Sequence, residues 1–249
     1  NDLTTAASEA AGSGTATAAL SFGGSGTPPP TANTETWNGT NWTEVNDLNT
    51  SRTYISGIGA TNTAAIAFAG YDGSSYVGKT ELWNGTNWTE VNDLNTGRTS
   101  LAGAAADNTS ALAFGGNTPP NTAVTELYNG TNWTETGDLS TARRNLAGSS
   151  SATAALAFGG YISTDQTATE EFSDSVPVAN VWITGGNLNT GRTIMGNAGD
   201  SNTSALGFGG TLDPPVSALV ESYNGTNWTE VNDLNQARYG LAGAGADNT

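Results

Sequence analysis

Asn84-Gly85-Thr86-Asn87-Trp88-Thr89-Glu90 is the stretch that decides the fold of this chain. The same seven residues stand at 38–44, 129–135 and 224–230, and a degenerate copy ends at Trp182. Trp42, Trp88, Trp133, Trp182 and Trp228 follow one another at separations of 46, 45, 49 and 46 residues. A fixed period of that length with strand-like content marks a solenoid or a propeller. Within the string, Asn-Gly is a strong hairpin signal, because a type I′ turn needs positive φ at both central residues.

Working outward through one period, residues 99–106 are small and apolar and predict an inner strand a. Asp107-Asn108-Thr109 is a turn. Residues 111–114 predict strand b, closed by Gly115-Gly116; residues 125–128 predict strand c and residues 132–136 the outer strand d. Four antiparallel strands per period make one propeller blade. Small residues such as Leu101-Ala102-Gly103-Ala104 suit strands crowded round a channel. The Trp and Phe side chains suit the wider space between diverging blades. One blade cannot bury both of its faces, so the array is stable only as a ring. The repeat spans nearly all 249 residues, which predicts one domain.

Composition agrees. Thirty-three glycines and only 12% charged residues suit short strands and tight turns rather than helices. The formal charge of −16, from 23 acids against 7 bases, opposes binding to nucleic acid and to anionic membrane surface. No apolar run of 18 residues predicts a membrane span. The chain has no Cys, so disulfides and thiolate metal sites are excluded, and no His, which removes the commonest general base and zinc ligand. With no initiator Met, the expectation is a processed or partial product.

Arg98, the doublet Gly115-Gly116, Tyr128 and Trp133 together resemble the kelch repeat. Two departures stand out: the aromatic-to-Trp spacing is five residues, and the second copy has Ala69-Gly70 for the doublet. The wording of the strings at 92–98 and 111–116 is similar to kelch-like arrays in structural proteins of marine bacteriophages. The resemblance implies an all-β propeller of four-stranded blades. It further implies a place on a virion surface or in another extracellular assembly. Copper-radical oxidase chemistry, known on some kelch-like propellers, is disfavoured by the absence of His and Cys.

Strands b, c and d occur five times, which predicts five blades; six or more, with sequence missing, is the alternative. Strand a occurs six times, beginning near Ser8, Thr53, Thr99, Asn145, Thr193 and Tyr239. The first copy has Ala7 where the others have Arg. The expectation is therefore that residues 239–246 complete the first blade beside residues 19–22 and displace residues 8–14.

The recurring arginines are Arg52, Arg98, Arg143 (of the pair Arg143-Arg144), Arg192 and Arg238. The recurring strand-c acids are Glu35, Glu81, Glu126, Glu171 (of the pair Glu170-Glu171) and Glu221. Five bases facing five acids predict structural ion pairs rather than a ligand ring, since a partly buried Arg without a partner is costly. The overlapping sequons at Asn84 and Asn87 are read as turn chemistry first and glycosylation second. Acid pairs such as Glu90 and Asp93 could bind calcium or act as acid and base, but they recur in most blades, whereas catalytic sites break the symmetry of a ring.

No catalytic residue, metal site or cofactor is expected. Variation concentrates in the b–c loops, where Pro119 and Pro214 mark one type and Tyr71, Tyr76 and Tyr161 another. These residues are the candidate binding face, because variable loops on a rigid scaffold are where binding resides. The fourth hairpin, residues 173–180, is a second candidate contact patch. The expected function is a non-enzymatic structural or adhesive module whose partners are other subunits of its assembly. A carbohydrate-binding propeller lectin is the alternative, and a propeller enzyme a distant third.

Overall fold

A computed structural model describes residues 2–174, 180–241 and 243. Blade one comprises β1 (Ala11–Thr15), β2 (Ala18–Phe22), β3 (Thr34–Trp37) and β4 (Trp42–Glu44). Blade two comprises β5 (Ser56–Thr61), β6 (Ala64–Phe68), β7 (Thr80–Trp83) and β8 (Trp88–Val91). Blade three comprises β9 (Ala102–Asp107), β10 (Ser110–Phe114), β11 (Thr125–Tyr128) and β12 (Trp133–Glu135). Blade four comprises β13 (Ala147–Ser151), β14 (Ala154–Phe158), β15 (Thr169–Ser173) and β16 (Val181–Thr184). Blade five comprises β17 (Gly196–Ser201), β18 (Ser204–Phe208), β19 (Val220–Tyr223) and β20 (Trp228–Glu230). Each blade is one antiparallel sheet in sequence order, no helix occurs among the described residues, and the whole is a five-bladed β-propeller.

The Asn-Gly hairpins differ from the two-residue type I′ expectation. Tyr128 pairs directly with Trp133, so the loop is the four residues 129–132. Only Gly130 has positive φ; Asn129 instead folds its side chain inward, and its Oδ1 accepts the N–H groups of Thr131 and Asn132. A side-chain acceptor thus replaces the second left-handed residue. The hairpin brings Tyr128 and Trp133 into ring contact at 5.2 Å, and Trp37–Trp42, Trp83–Trp88, Phe172–Trp182 and Tyr223–Trp228 repeat the pair. The tip of the fourth hairpin, residues 175–179, lies outside the described residues.

Between blades the same contact is made four times. Phe22, Phe68, Phe114 and Phe158 are buried, and each meets the strand-d Trp of the following blade: Trp88, Trp133, Trp182 and Trp228. Each of those indoles donates from Nε1 to a strand-c Thr of the preceding blade, Thr34, Thr80, Thr125 and Thr169 in turn, at 3.0 Å. Inner strand β1 packs on β5, β5 on β9, β9 on β13 and β13 on β17.

The inner strand of blade one is β1, paired with β2 from Ala11↔Phe22 to Thr15↔Ala18. This corrects the expected pairing of residues 239–246 with residues 19–22. A two-residue turn at Ala16-Thr17 closes the local hairpin, which costs far less loop entropy than bringing the other end of the chain across. Residues 238–241 lie instead against blade five, and residues 242 and 244–246 of the expected strand lie outside the described residues. The Arg238 carbonyl accepts from Gly210 N–H, Arg238 N–H donates to Ser217, and Gly240 N–H donates to Ile194. This is where the inner strand of a following unit would sit.

Candidate functional site

The residues that recur are spent on holding the blades. Arg52, Arg98, Arg143 and Arg192 are buried and pair with Glu81, Glu126, Glu170 and Glu221 at 2.6–2.8 Å. Arg52 also donates to the Ala69 and Lys79 carbonyls, and Arg192 to those of Gly209 and Leu219. Burial lowers the pKa of each of these guanidiniums, and the facing carboxylate offsets it in part. The second oxygen of each Glu accepts the N–H at the start of the same connection: Asn49, Asn95, Ser140 and Asn189.

Three of the ring residues are placed differently from expectation. Glu170, not Glu171, receives Arg143, because alternation along β15 turns only one of the two acids inward; Glu171 accepts the hydroxyl of Tyr223 on blade five. Arg238 is exposed and makes no ion pair among the described residues. Glu35 is 3% exposed and, among the described residues, is met only by the N–H groups of Thr4 and Thr5, with Ala7 at the Arg place. The paired acids considered for calcium or catalysis are also engaged: Asp93 caps Thr80 N–H and Glu90 accepts Lys79 at 2.6 Å. No group of three or more potential metal ligands occurs among the described residues.

The b–c loops emerge on one face with the d–a connections, as the bridges Thr53↔Tyr71, Thr99↔Asn117, Arg144↔Tyr161 and Thr193↔Thr211 show. In blade two the loop is closed by Tyr71↔Tyr76, whose rings meet edge to face at 5.8 Å, and Tyr76 remains exposed. Pro119 and Pro214 are exposed at loop tips. Tyr161 lies under the Arg144 guanidinium at 4.9 Å from its ring centroid. Arg144 also donates to Asn121 Oδ1 at 3.1 Å, and Asn121 Nδ2 returns a bond to the Tyr161 carbonyl at 3.0 Å.

This cluster walls a cleft of about 210 Å³ between blades four and five. Asp165 and Asp213 line its acidic side. Both carboxylate oxygens of Asp165 are shielded from solvent without a hydrogen-bond partner among the described residues. Desolvation, and then the charge of Asp213, raise the Asp165 pKa above the usual aspartate value. Arg144, Asp165 and Asp213 were not expected from sequence; the available signals were the arginine doublet and the absence of Pro from the fourth loop.

The second concave feature is the axial channel, about 540 Å³, lined by Gly, Ala and Ser of the five inner strands and by residues 239–241 and 243. Among the described residues, Glu9 is the only charged one lining it. At its mouth a backbone thread runs from repeat to repeat: Ser100 N–H to Tyr54, Asn145 to Ser100, Ile194 to Asn145 and Gly240 to Ile194. Tyr54, Ser100, Asn145 and Ile194 all hold positive φ there, a conformation unusual for a β-branched residue such as Ile194.

No protein-family model matches this sequence, and no curated protein is significantly similar to it.

Proposed function

We propose that this chain is a non-enzymatic structural or adhesive module, with blades of the kelch type, in a virion or another extracellular assembly. One observation carries the reading. The chemistry of the repeat is consumed inside the ring by four buried Arg–Glu pairs and four indole–Thr bonds, while variation gathers on one loop face. Tyr76, Ile162 and Val216 expose apolar surface on those loops. Such a face on a rigid ring suits recognition of other subunits of the assembly. The test is binding of the purified chain to assembly subunits or target cells. Replacing Tyr76, Pro119 and Pro214 together with Ser is expected to lower binding at least tenfold with the melting temperature kept; unchanged binding refutes the loop face.

A second reading, a carbohydrate-binding propeller, draws on the cleft of blades four and five. An aromatic ring beside carboxylate oxygens without partners suits sugar hydroxyls. Glycan-array binding, competed by free sugar and lost in Asp165→Ala, separates it from the first.

A further inference from the structure

We propose that the outer edge of blade four, β16, is a self-association surface that pairs antiparallel with β16 of a second copy of this chain. The inference rests on the reading of the chain as an assembly module and deepens it by naming one partner and the edge it uses.

The outermost strand of a blade presents a row of backbone groups with no strand beside it, and such edges are normally guarded by charge or covered. Four of the five carry the charge. β4, β8, β12 and β20 each begin Trp-Thr-Glu, with Glu44, Glu90, Glu135 and Glu230 exposed. An exposed Asp follows three residues later in each, at Asp47, Asp93, Asp138 and Asp233. β16 reads Val181-Trp182-Ile183-Thr184 instead. Thr184 stands at the Glu place, Asn187 at the Asp place, and Ile183, 53% exposed, at the Thr place. This outer strand is therefore the one without a carboxylate, and its β-branched and aromatic residues favour strand pairing.

A cover is missing as well. In blades two, three and five the carbonyl of the strand-d Trp accepts a side-chain amide from the connection before it. Asn49 Nδ2 donates to Trp88, Asn95 Nδ2 to Trp133 and Asn189 Nδ2 to Trp228, at 3.0–3.1 Å. In blade four that place is Ser140, whose side chain has no amide, and the Trp182 carbonyl accepts no such bond among the described residues. Blade one also lacks the amide but keeps Glu44, so β16 is the outer strand that lacks both. Its free groups are well placed. Gly185 N–H bonds back to the Thr169 carbonyl, so Ile183, two residues earlier, also turns its backbone toward β15, while Trp182 and Thr184 turn theirs outward.

The occupant is a second copy because of charge and register. Two copies of any other outer edge, each on a molecule of −16, would bring Glu against Glu. Two copies of β16 meet without like charges. With a two-fold axis at Ile183, Trp182 of one copy exchanges N–H···O bonds with Thr184 of the partner subunit. The two Ile183 side chains then fall opposite each other as a non-hydrogen-bonded pair, with Cα atoms about 4.5 Å apart. The axis makes the edge self-complementary, as a closed dimer requires. It also joins two four-stranded blades into one continuous sheet, the strand-addition mode of association.

The test exploits a chain without cysteine. Ile183→Cys chains are expected to give a disulfide-linked dimer under mild oxidation. Thr89→Cys and Thr134→Cys chains, altered at the same place on guarded edges, are expected to stay monomeric. By light scattering the unmodified chain is expected to form a dimer that dissociates on dilution and is favoured as salt screens the −16 charge. Ile183→Glu should weaken association by about tenfold or more, and Thr184→Glu, which restores the repeat's acid, should weaken it too. Both positions are exposed, so the melting temperature of the monomer should be kept. A strictly monomeric parent, no cross-link at position 183, equal cross-linking at Thr89 or Thr134, or association unchanged by either Glu substitution overturns the proposal. A monomer that still binds through its loops sinks this proposal and leaves the function reading; a dimer whose loops bind nothing does the reverse.

Discussion

Blade three and blade one are built from nearly the same words and are held differently. In blade three, Glu126 has Arg98 at 2.6 Å and Asn95 on its other oxygen, and Trp133 is buried against Phe68 with its indole on Thr80. In blade one, among the described residues, Glu35 has the backbone of Thr4 and Thr5 and no cation, and Trp42 is partly exposed without the Phe contact and Thr bond of the other four. The contrast teaches that a repeat's stability is set at its two seams more than within its own strands, since all five sheets pair in the same order.

The largest expected break in that contrast is at the arginines. Arg98→Ala leaves Glu126 buried without its cation and should cost about 3–5 kcal/mol, while Arg238→Ala should leave the monomer's melting temperature unchanged. Thermal denaturation of the two variants side by side checks this; equal losses would show that the ion pairs are not what separates interior from terminal units.

A smaller effect is expected at the tryptophans. Trp133→Phe removes the indole donor to Thr80 and part of the packing against Phe68, at about 1–2 kcal/mol. Trp42→Phe, lacking both partners, should cost under about 0.5 kcal/mol. Urea midpoints with unchanged m-values are the measurement, and a loss at Trp42 matching that at Trp133 would mean blade one has a neighbour there.

The smallest concerns the loops, where the residue closing the b–c bridge is Asn121 in blade three but Asp165 in blade four. Asp165 holds its proton more tightly folded than unfolded, so ionisation opposes folding and stability falls as pH rises through its raised pKa. Asp165→Asn should therefore stabilise the chain by about 0.5 kcal/mol at pH 7, with the gain vanishing below the usual aspartate pKa. A gain that persists at low pH would assign it to something other than the charge.

Much of this architecture is legible in the sequence because it is written five times. The strand boundaries in the period around Trp133 and the small residues facing the channel follow from composition and turn residues alone. The pairing of Arg with a strand-c acid follows from equal counts, but which member of Glu170-Glu171 turns inward depends on strand register. The seating of residues 238–241 is not legible, since two segments carry inner-strand patterns and the choice rests on loop entropy rather than on side chains. The cleft sets Arg144, Tyr161 and Asp165, joined by bridges within blade four, against Asp213 of blade five, a juxtaposition visible only once the two blades pack side by side.

The inter-blade bonds also have a direction. The indoles of Trp88, Trp133, Trp182 and Trp228 each reach back to the Thr one unit earlier, and Arg52, Arg98, Arg143 and Arg192 each stay with the acid of their own unit. A cut made at any point and rejoined one period later, such as the 46 residues from Trp42 to Trp88, reconnects donors to acceptors of the same kind in the same register. Recombination between near-identical repeats can therefore lengthen or shorten this array in whole units without inventing a single new contact, which makes blade number the easiest property of the molecule for evolution to change.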